Sequence, residues 1–196
     1  GSSYPRLIDY ARIGQIAKEV GAYFMVDMAH VSGLVAAGVI PSPVPYADFV
    51  TSSTTKTFCG PRGGMMLCKA EHAKKIDKGV FPGSLGSMHL TTMAAKAWCF
   101  KHMATPEFKA LMQQIVDNAK LLAEELSQYG FRIVSGTTDN HLIMVDLRPK
   151  NISGKLFQNA LDSIGITVNK NQIPFDPASP FVTSGVRIGL TSITQR

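Results

Sequence analysis

Short apolar runs, each followed by polar residues, mark the first part of the chain. The run AYFMVDMAH over residues 22–30 carries Asp27, and ADFVTSST over residues 47–54 ends in hydroxyl residues just before Lys56. A third run, GGMMLCK, covers residues 63–69. Apolar runs of this length with long connections between them predict strands of a largely parallel, buried sheet. Because ligands gather at the carboxyl ends of strands in such sheets, Asp27 and Lys56 are predicted to share a site.

Longer stretches have the spacing of amphipathic helices. The predicted helices cover residues 6–20, 89–102 and 105–129, and further strand patterns follow at residues 141–147, 166–170 and 185–190. Gly21 is a typical residue for the end of the first helix. Between the later strands, Ser153 is predicted to cap a short helix that ends at Gly165.

The character of the chain changes near residue 103, from a mixed region rich in candidate site residues to a helix with short strands. We therefore predict one domain over residues 1–102 and a second over residues 103–196. The first residues enter directly into a helix and the last ones stop just after a strand. An internal piece of a longer chain is therefore expected.

Composition narrows the class of protein. With 45% hydrophobic and 17% charged residues among 196, the chain has the balance of a globular protein with a sizeable core. The net charge of +6 is spread along the chain without a basic block, and no apolar run is long enough to cross a bilayer, so neither nucleic acid nor membrane is an expected partner. Three cysteines without a CxxC pair predict a reducing compartment, which we take to be the cytoplasm, and no metal site.

Lys56 stands among serine and threonine residues and precedes the glycine-rich GPRGG. Hydroxyls and backbone amides beside a lysine can cradle a phosphate. The order differs from a P-loop, in which the glycines come before the lysine. Three roles for Lys56 stay open on the sequence alone: a solvated charge, a phosphate contact, or a nucleophile toward a carbonyl group.

Three other residues extend this candidate site. Asp27 at the end of an apolar strand needs a partner, either a structural one or the ring nitrogen of pyridoxal phosphate. His30 could contact the same cofactor or be structural. Arg187, between two glycines, could bind a carboxylate or lie on the surface. An acid, then a lysine, then a late arginine is the order expected of a pyridoxal phosphate enzyme that acts on an amino acid.

Three motifs carry a resemblance to a known family: VDMAHVSGLVAAG, VTSSTTKTFCGPRGG and NKNQIPFDPASPFVTSGVRIG. They resemble serine hydroxymethyltransferase, and the likeness runs along essentially all 196 residues. The resemblance implies an α/β chain of the fold-type I pyridoxal-phosphate-dependent transferases. It would comprise the second half of a three-layer αβα large domain and the start of an α+β C-terminal domain. The implied reaction is the reversible transfer of a one-carbon unit between serine and tetrahydrofolate, giving glycine, through a Schiff base of the cofactor.

The same resemblance implies roles in cofactor binding. Lys56 matches the lysine that forms the Schiff base, Asp27 the acid that pairs with the pyridine nitrogen, and His30 the histidine beside the cofactor. Ser2 matches a serine near the phenolic oxygen. Ser53 stands where the family usually has a threonine near the phosphate.

Other matching positions imply contacts with substrates and with a second subunit. Arg187 matches the arginine that binds the substrate carboxylate, Arg62 a further active-site arginine, and Asn171 a residue that contacts the folate. Gly86 lies in a loop that reaches the phosphate bound to the neighbouring subunit. A homodimer or a dimer of dimers is therefore expected.

The sequence also departs from the family pattern. Thr55 stands where the family has a histidine before the lysine, and Leu190 follows RIG where threonine is usual. Leu85, Ser87 and Met88 replace a glutamine, a glycine and a proline of the family's loop. The family's stacking histidine, its phosphate-binding serine-glycine loop and its catalytic glutamate are expected upstream of residue 1. Two alternatives therefore remain: a folate-independent, threonine-type transaldolase or aldolase of the same fold, and a catalytically inactive fragment or paralogue.

Overall fold

The computed structural model describes residues 2–196, which form two compact units. The first unit contains residues 8–112, and the second contains residues 2–7 and 113–196. The helix Pro106–Gln128 contributes residues to both. The domain boundary at residues 102–103 stays a prediction.

The first unit contains a three-stranded sheet in the order β1 (Met25–Asp27), β2 (Phe49–Ser53), β3 (Gly64–Cys68). Strands β1 and β2 are parallel, as predicted, but β2 and β3 are antiparallel. The cause is the short connection over residues 54–63, because a parallel return needs a crossover of a dozen or more residues. The expectation of a largely parallel sheet was therefore wrong for β3.

The helices of the first unit are α1 (Tyr10–Glu19), α2 (Ser32–Ala36), α3 (Ala73–Val80), α4 (Leu90–Met103) and the start of α5 (Pro106–Gln128). A short 3₁₀ turn at Ala70–His72 precedes α3. Helix α1 begins later than predicted because the Asp9 side chain accepts a hydrogen bond from the amide of Arg12 and so caps the helix. The sequence pattern did not predict α3.

Burial alternates along the paired strands β1 and β2. Val26 and Val50 are buried and stand opposite each other, whereas Asp27 and its partner Thr51 belong to the other, less covered face. Leu34 of α2 is completely buried. The face with Val26 and Val50 therefore belongs to the core, and the opposite face, which carries Asp27 and Thr51 beside Met25 and Phe49, is less covered.

The second unit contains an antiparallel sheet in the order β4 (Arg132–Ile133), β5 (Leu142–Asp146), β7 (Gly185–Gly189), β6 (Asn169–Asn171). Its helices are the later part of α5, α6 (Gly154–Asp162) and α7 (Thr191–Thr194), and a 3₁₀ turn covers Arg148–Lys150. The core consists of Ala123, Ile133, Ile143, Val145, Leu147, Val168 and Val186. Ser153 caps α6 as predicted, accepting from the Leu156 amide at 3.2 Å.

Asp146 is a buried charge at the end of β5, with its side chain 1% exposed. Its carboxylate binds Arg148 at 2.8 Å and Arg132 at 2.5 Å, and it also accepts from the Arg148 amide at 3.0 Å. Burial alone would raise the pKa of this carboxyl, but the hydrogen bonds from Arg148 outweigh it, so the pKa is lowered. The ionised carboxylate therefore stabilises this end of the sheet.

Replacing Asp146 with asparagine should reduce the free energy of unfolding at pH 7 by about 1.5–3 kcal/mol, the range for hydrogen bonds to charged groups. Because the folded-state pKa is lowered, this stabilisation is present above the unfolded-state pKa of an aspartate and disappears as the pH falls through the folded value. Urea unfolding at several pH values would show wild type and Asp146→Asn converging on acidification. A constant difference down to pH 2 would contradict this account.

Candidate active site

The parallel pairing of β1 and β2 places the ends of both strands at one edge of the sheet. Asp27, the last residue of β1, stands opposite Thr51, and the Met28 amide donates to the Thr51 carbonyl at 2.9 Å. Lys56 follows the end of β2 by three residues. The predicted acid and the start of the loop that carries the predicted lysine therefore lie at the same edge.

Asp27 presents an accessible carboxylate at this edge. The residue is exposed, and its Oδ1 accepts a hydrogen bond from the Ala29 amide at 2.8 Å, which orients the group. Oδ2 accepts no hydrogen bond from any of residues 2–196. One oxygen is thus held by the chain, and the other is available to a cationic N–H.

Lys56 is exposed on a loop that Thr54 closes. The Thr54 side chain is buried, and its hydroxyl donates to the Pro61 carbonyl at 2.6 Å. The Thr54 amide donates to the Gly63 carbonyl at 2.9 Å, and the Thr54 carbonyl accepts from the Gly60 amide at 2.9 Å. Among the residues that the structure describes, the Lys56 ammonium has no hydrogen-bond or ion-pair partner. The backbone around this lysine is fixed while its amine stays available.

The buried hydroxyl of Thr57 joins the lysine loop to the loop that follows β1. It donates to the His30 carbonyl at 3.0 Å and accepts from the Gly33 amide at 2.9 Å. A Cβ at position 33 would collide with the Thr57 carbonyl, so only glycine permits this close approach. Thr57 therefore couples the position of Lys56 to the loop that follows Asp27 and carries His30.

Several hydroxyl residues precede Lys56 in the chain. Ser53 Oγ and Thr55 Oγ1 are 2.7 Å apart, and the Thr55 amide donates to Ser53 Oγ at 3.2 Å. Thr51 Oγ1 is buried and has no hydrogen-bond partner among residues 2–196. Serine and threonine hydroxyls of this kind can donate to the oxygens of a phosphate.

Two side chains of helix α4 donate hydrogen bonds to the lysine loop and to the start of β3. The Cys99 thiol donates to the Phe58 carbonyl at 3.3 Å, and the Lys96 ammonium donates to the Gly64 carbonyl at 3.0 Å. Burial raises the pKa of the Cys99 thiol, so it stays protonated as a donor. Neither residue was predicted from the sequence as part of the site. Their spacing of three on a predicted helix puts them on one face, but nothing in the sequence shows what that face contacts.

Two other predicted residues of the first unit are exposed. Arg62 lies in the turn before β3, and Gly86 lies between α3 and α4. Gly86 lines an open, mainly apolar cavity of about 1130 Å³ together with Leu85, Ser87 and Met88, the residues that depart from the family's loop. No hydrogen bond within residues 2–196 connects Arg62 to Asp27 or Lys56. Their roles therefore stay predictions.

The second unit holds the other three predicted residues. The guanidinium of Arg187 donates to the Ser2 carbonyl at 2.6 Å and to Asn169 Oδ1 at 3.1 Å. Ser3 Oγ donates to Asn171 Oδ1 at 3.3 Å. Ser2, Asn171 and Arg187 thus belong to one polar cluster on strands β6 and β7 and the N-terminal segment.

The loop after Asn171 is organised by Asp176. Its carboxylate accepts from the Ile173, Ala178 and Ser184 amides at 3.2, 2.8 and 2.8 Å, and from the Ser184 hydroxyl at 2.6 Å. Burial would raise the pKa of Asp176, but the hydrogen bonds from Ser184 and the loop amides outweigh it and lower the pKa. These contacts keep the loop in place although Phe175 is fully exposed and has a φ of 55°.

Some classes of site and structure are absent from residues 2–196. No group of three or more His, Cys, Asp or Glu side chains could hold a metal ion, and no disulfide forms among the three cysteines. None of the helices in this part of the chain is both long and apolar enough to cross a membrane.

Comparison with protein families identifies the chain's relatives. One family model, described as SHMT: Serine hydroxymethyltransferase, matches residues 1–196, and this family has the fold of pyridoxal-phosphate-dependent transferases. The chain belongs to the serine hydroxymethyltransferase family. The resemblance seen in the sequence motifs is therefore confirmed, and with it the mixed α/β class.

Replacing Thr57 with valine should loosen the lysine loop. Valine keeps the shape but removes the hydrogen bonds that the Thr57 hydroxyl forms with the Gly33 amide and the His30 carbonyl, at a cost of about 1–3 kcal/mol. Hydrogen exchange followed by mass spectrometry should show faster exchange of the Gly33 amide in Thr57→Val.

The matched control is Thr57→Ser, which retains the hydroxyl and should keep the Gly33 amide protected. Equal protection in the valine variant and the wild type would show that the Thr57 hydroxyl does not hold the two loops together.

Proposed function

We propose that the protein containing this chain transfers a one-carbon unit between serine and tetrahydrofolate, giving glycine, with pyridoxal 5'-phosphate as cofactor. The observation that carries the proposal is the parallel pairing of β1 and β2, which places the Asp27 and Lys56 loops at one sheet edge. Lys56 Nζ and Asp27 Oδ2 have no hydrogen-bond partner among residues 2–196. Membership of the serine hydroxymethyltransferase family supports the choice of reaction.

The residues at this edge fit the cofactor. It needs an amine for its aldehyde carbon, a carboxylate for its ring nitrogen, and donors for its phosphate. Lys56 Nζ, Asp27 Oδ2 and the hydroxyls of Ser53 and Thr55 meet these three needs. The partnerless Thr51 hydroxyl beside Asp27 is a further polar group consistent with a bound ligand. When bound, pyridoxal phosphate supplies an electron-withdrawing ring that stabilises negative charge at the α-carbon of an amino acid.

Residues of the chain would hold the cofactor and orient it. Lys56 Nζ would hold the aldehyde carbon and give it up when an amino acid binds. Asp27 Oδ2 would accept the hydrogen bond of the ring N–H and keep the proton on that nitrogen. Thr54 and Thr57 keep both loops in place, so little ordering is needed when ligands bind.

In the second unit, we propose that Arg187 binds the carboxylate of the amino acid. Its guanidinium is already oriented by Ser2 and Asn169, and its remaining N–H groups can donate to two oxygens at once. Asn171, in the same polar cluster, is proposed to contact the folate. Fixing the carboxylate limits the orientations that the reacting bonds can take.

A second candidate is a folate-independent transaldolase or aldolase of the same fold. Thr55 favours it, because a neutral hydroxyl bonded to Ser53 stands where the family has an imidazole before the lysine. The third candidate is a protein that keeps the fold but has lost catalysis.

Lys56→Ala should abolish the visible absorption band of the cofactor-loaded full-length protein and reduce turnover by several orders of magnitude, because covalent holding of the cofactor is lost. Lys18→Ala is the matched control, since Lys18 is exposed on α1. A Lys56→Ala variant that retains the band would show that another lysine holds the cofactor.

Assays with and without tetrahydrofolate separate the three candidates. Serine cleavage that depends on tetrahydrofolate supports the proposed function. Condensation of glycine with aldehydes that needs no folate supports the second candidate. Failure of the full-length protein to bind pyridoxal phosphate at all would favour the third.

A further inference from the structure

The neighbours of Arg187 differ from those of three other arginines in the second unit, Arg6, Arg132 and Arg148. Arg6 pairs with Asp139, and Arg132 and Arg148 pair with Asp146. Within residues 2–196, Arg187 forms no ion pair, and the acceptors of its two guanidinium hydrogen bonds are neutral oxygens. The chain thus orients this guanidinium without cancelling its charge.

Asn169 supplies one of the two neutral oxygens, and the sheet fixes its position. Strands β6 and β7 are antiparallel, and Asn169 stands directly opposite Arg187 in their register. Its Oδ1 accepts from Nη2 at 3.1 Å, while the Ser2 carbonyl accepts from Nη1 at 2.6 Å. Residues that stand directly opposite each other on adjacent strands lie close enough for their side chains to interact.

Asparagine is depleted in strands, and β6 contains two, Asn169 and Asn171. Asn169 is the one whose side chain accepts a hydrogen bond from Arg187. An aspartate would have nearly the same shape, but its negative charge would form an ion pair with Arg187. The guanidinium would then be partly neutralised before any ligand carboxylate arrived.

We propose that Asn169 is a positioning residue for the binding of a carboxylate by Arg187. It fixes the plane of the Arg187 guanidinium through a neutral acceptor and leaves the positive charge and the remaining N–H donors for the ligand. This inference rests on the proposed function, in which Arg187 binds the substrate carboxylate.

The test compares two ligands in the cofactor-loaded full-length protein. Glycine has an amine and a carboxylate, whereas methylamine has the amine alone. Equilibrium titrations give the dissociation constant of each, and their ratio reports carboxylate recognition separately from the general state of the fold. A residue with a merely structural role would change both constants together.

Asn169→Asp should weaken glycine binding by about 10–100-fold, because the new carboxylate competes for Arg187. Asn169→Ala should weaken it by about 3–10-fold, as expected for the loss of one hydrogen bond. Methylamine binding should stay within about twofold in both variants, since no ordered carboxylate contact is lost. Asn159→Asp, which adds the same charge at an exposed position of α6, is the matched control and should leave the ratio unchanged.

Arg187→Ala separates this inference from the proposed function. If Arg187→Ala retains wild-type glycine affinity, the proposed role of Arg187 is wrong, and the inference falls with it. If Arg187→Ala loses that affinity while Asn169→Asp keeps the wild-type ratio, only the role of Asn169 is overturned. Equal weakening of glycine and methylamine in Asn169→Asp would also overturn it, because Asn169 would then be structural.

Discussion

The hydroxyl of Thr57 is the contact on which the arrangement of the first unit depends. It donates a hydrogen bond to the His30 carbonyl and accepts one from the Gly33 amide, so a single buried oxygen connects two loops. Strand pairing brings the ends of β1 and β2 to one edge, but it does not fix the loops that leave them. Thr57 supplies that constraint, and Gly33 permits it by leaving room for the Thr57 backbone. The available amine of Lys56 and carboxylate of Asp27 therefore extend from fixed backbone.

The second unit uses its arginines in two physically different ways. Arg132 and Arg148 neutralise the buried Asp146 and thereby stabilise the end of β5. Arg187 is instead held by the neutral oxygens of Ser2 and Asn169. When an arginine is paired with a carboxylate, its positive charge is partly neutralised before a ligand binds. An arginine that is oriented by neutral groups keeps its charge for the ligand. This difference separates a stabilising arginine from one suited to recognition.

The sequence predicted the parts of this structure that local patterns specify. The apolar runs marked β1 and β2, Ser153 marked the start of α6, and the motifs around Asp27, Lys56 and Arg187 indicated the family that the comparison confirms. The direction of β3 was missed because it depends on the length of one connection. Thr57 and Cys99 were missed for another reason: their partners lie 27 and 41 positions away, and no local pattern records such contacts. The roles assigned to the nine predicted site residues remain proposals.

The most direct test of the central claim asks which lysine holds the cofactor. The full-length protein would be loaded with pyridoxal phosphate, reduced with borohydride and digested, and the modified peptide would be identified by mass spectrometry. The fixed loop and the partnerless amine of Lys56 predict that the label is found on Lys56 alone. A label on any other lysine, with Lys56 unmodified, would contradict the account.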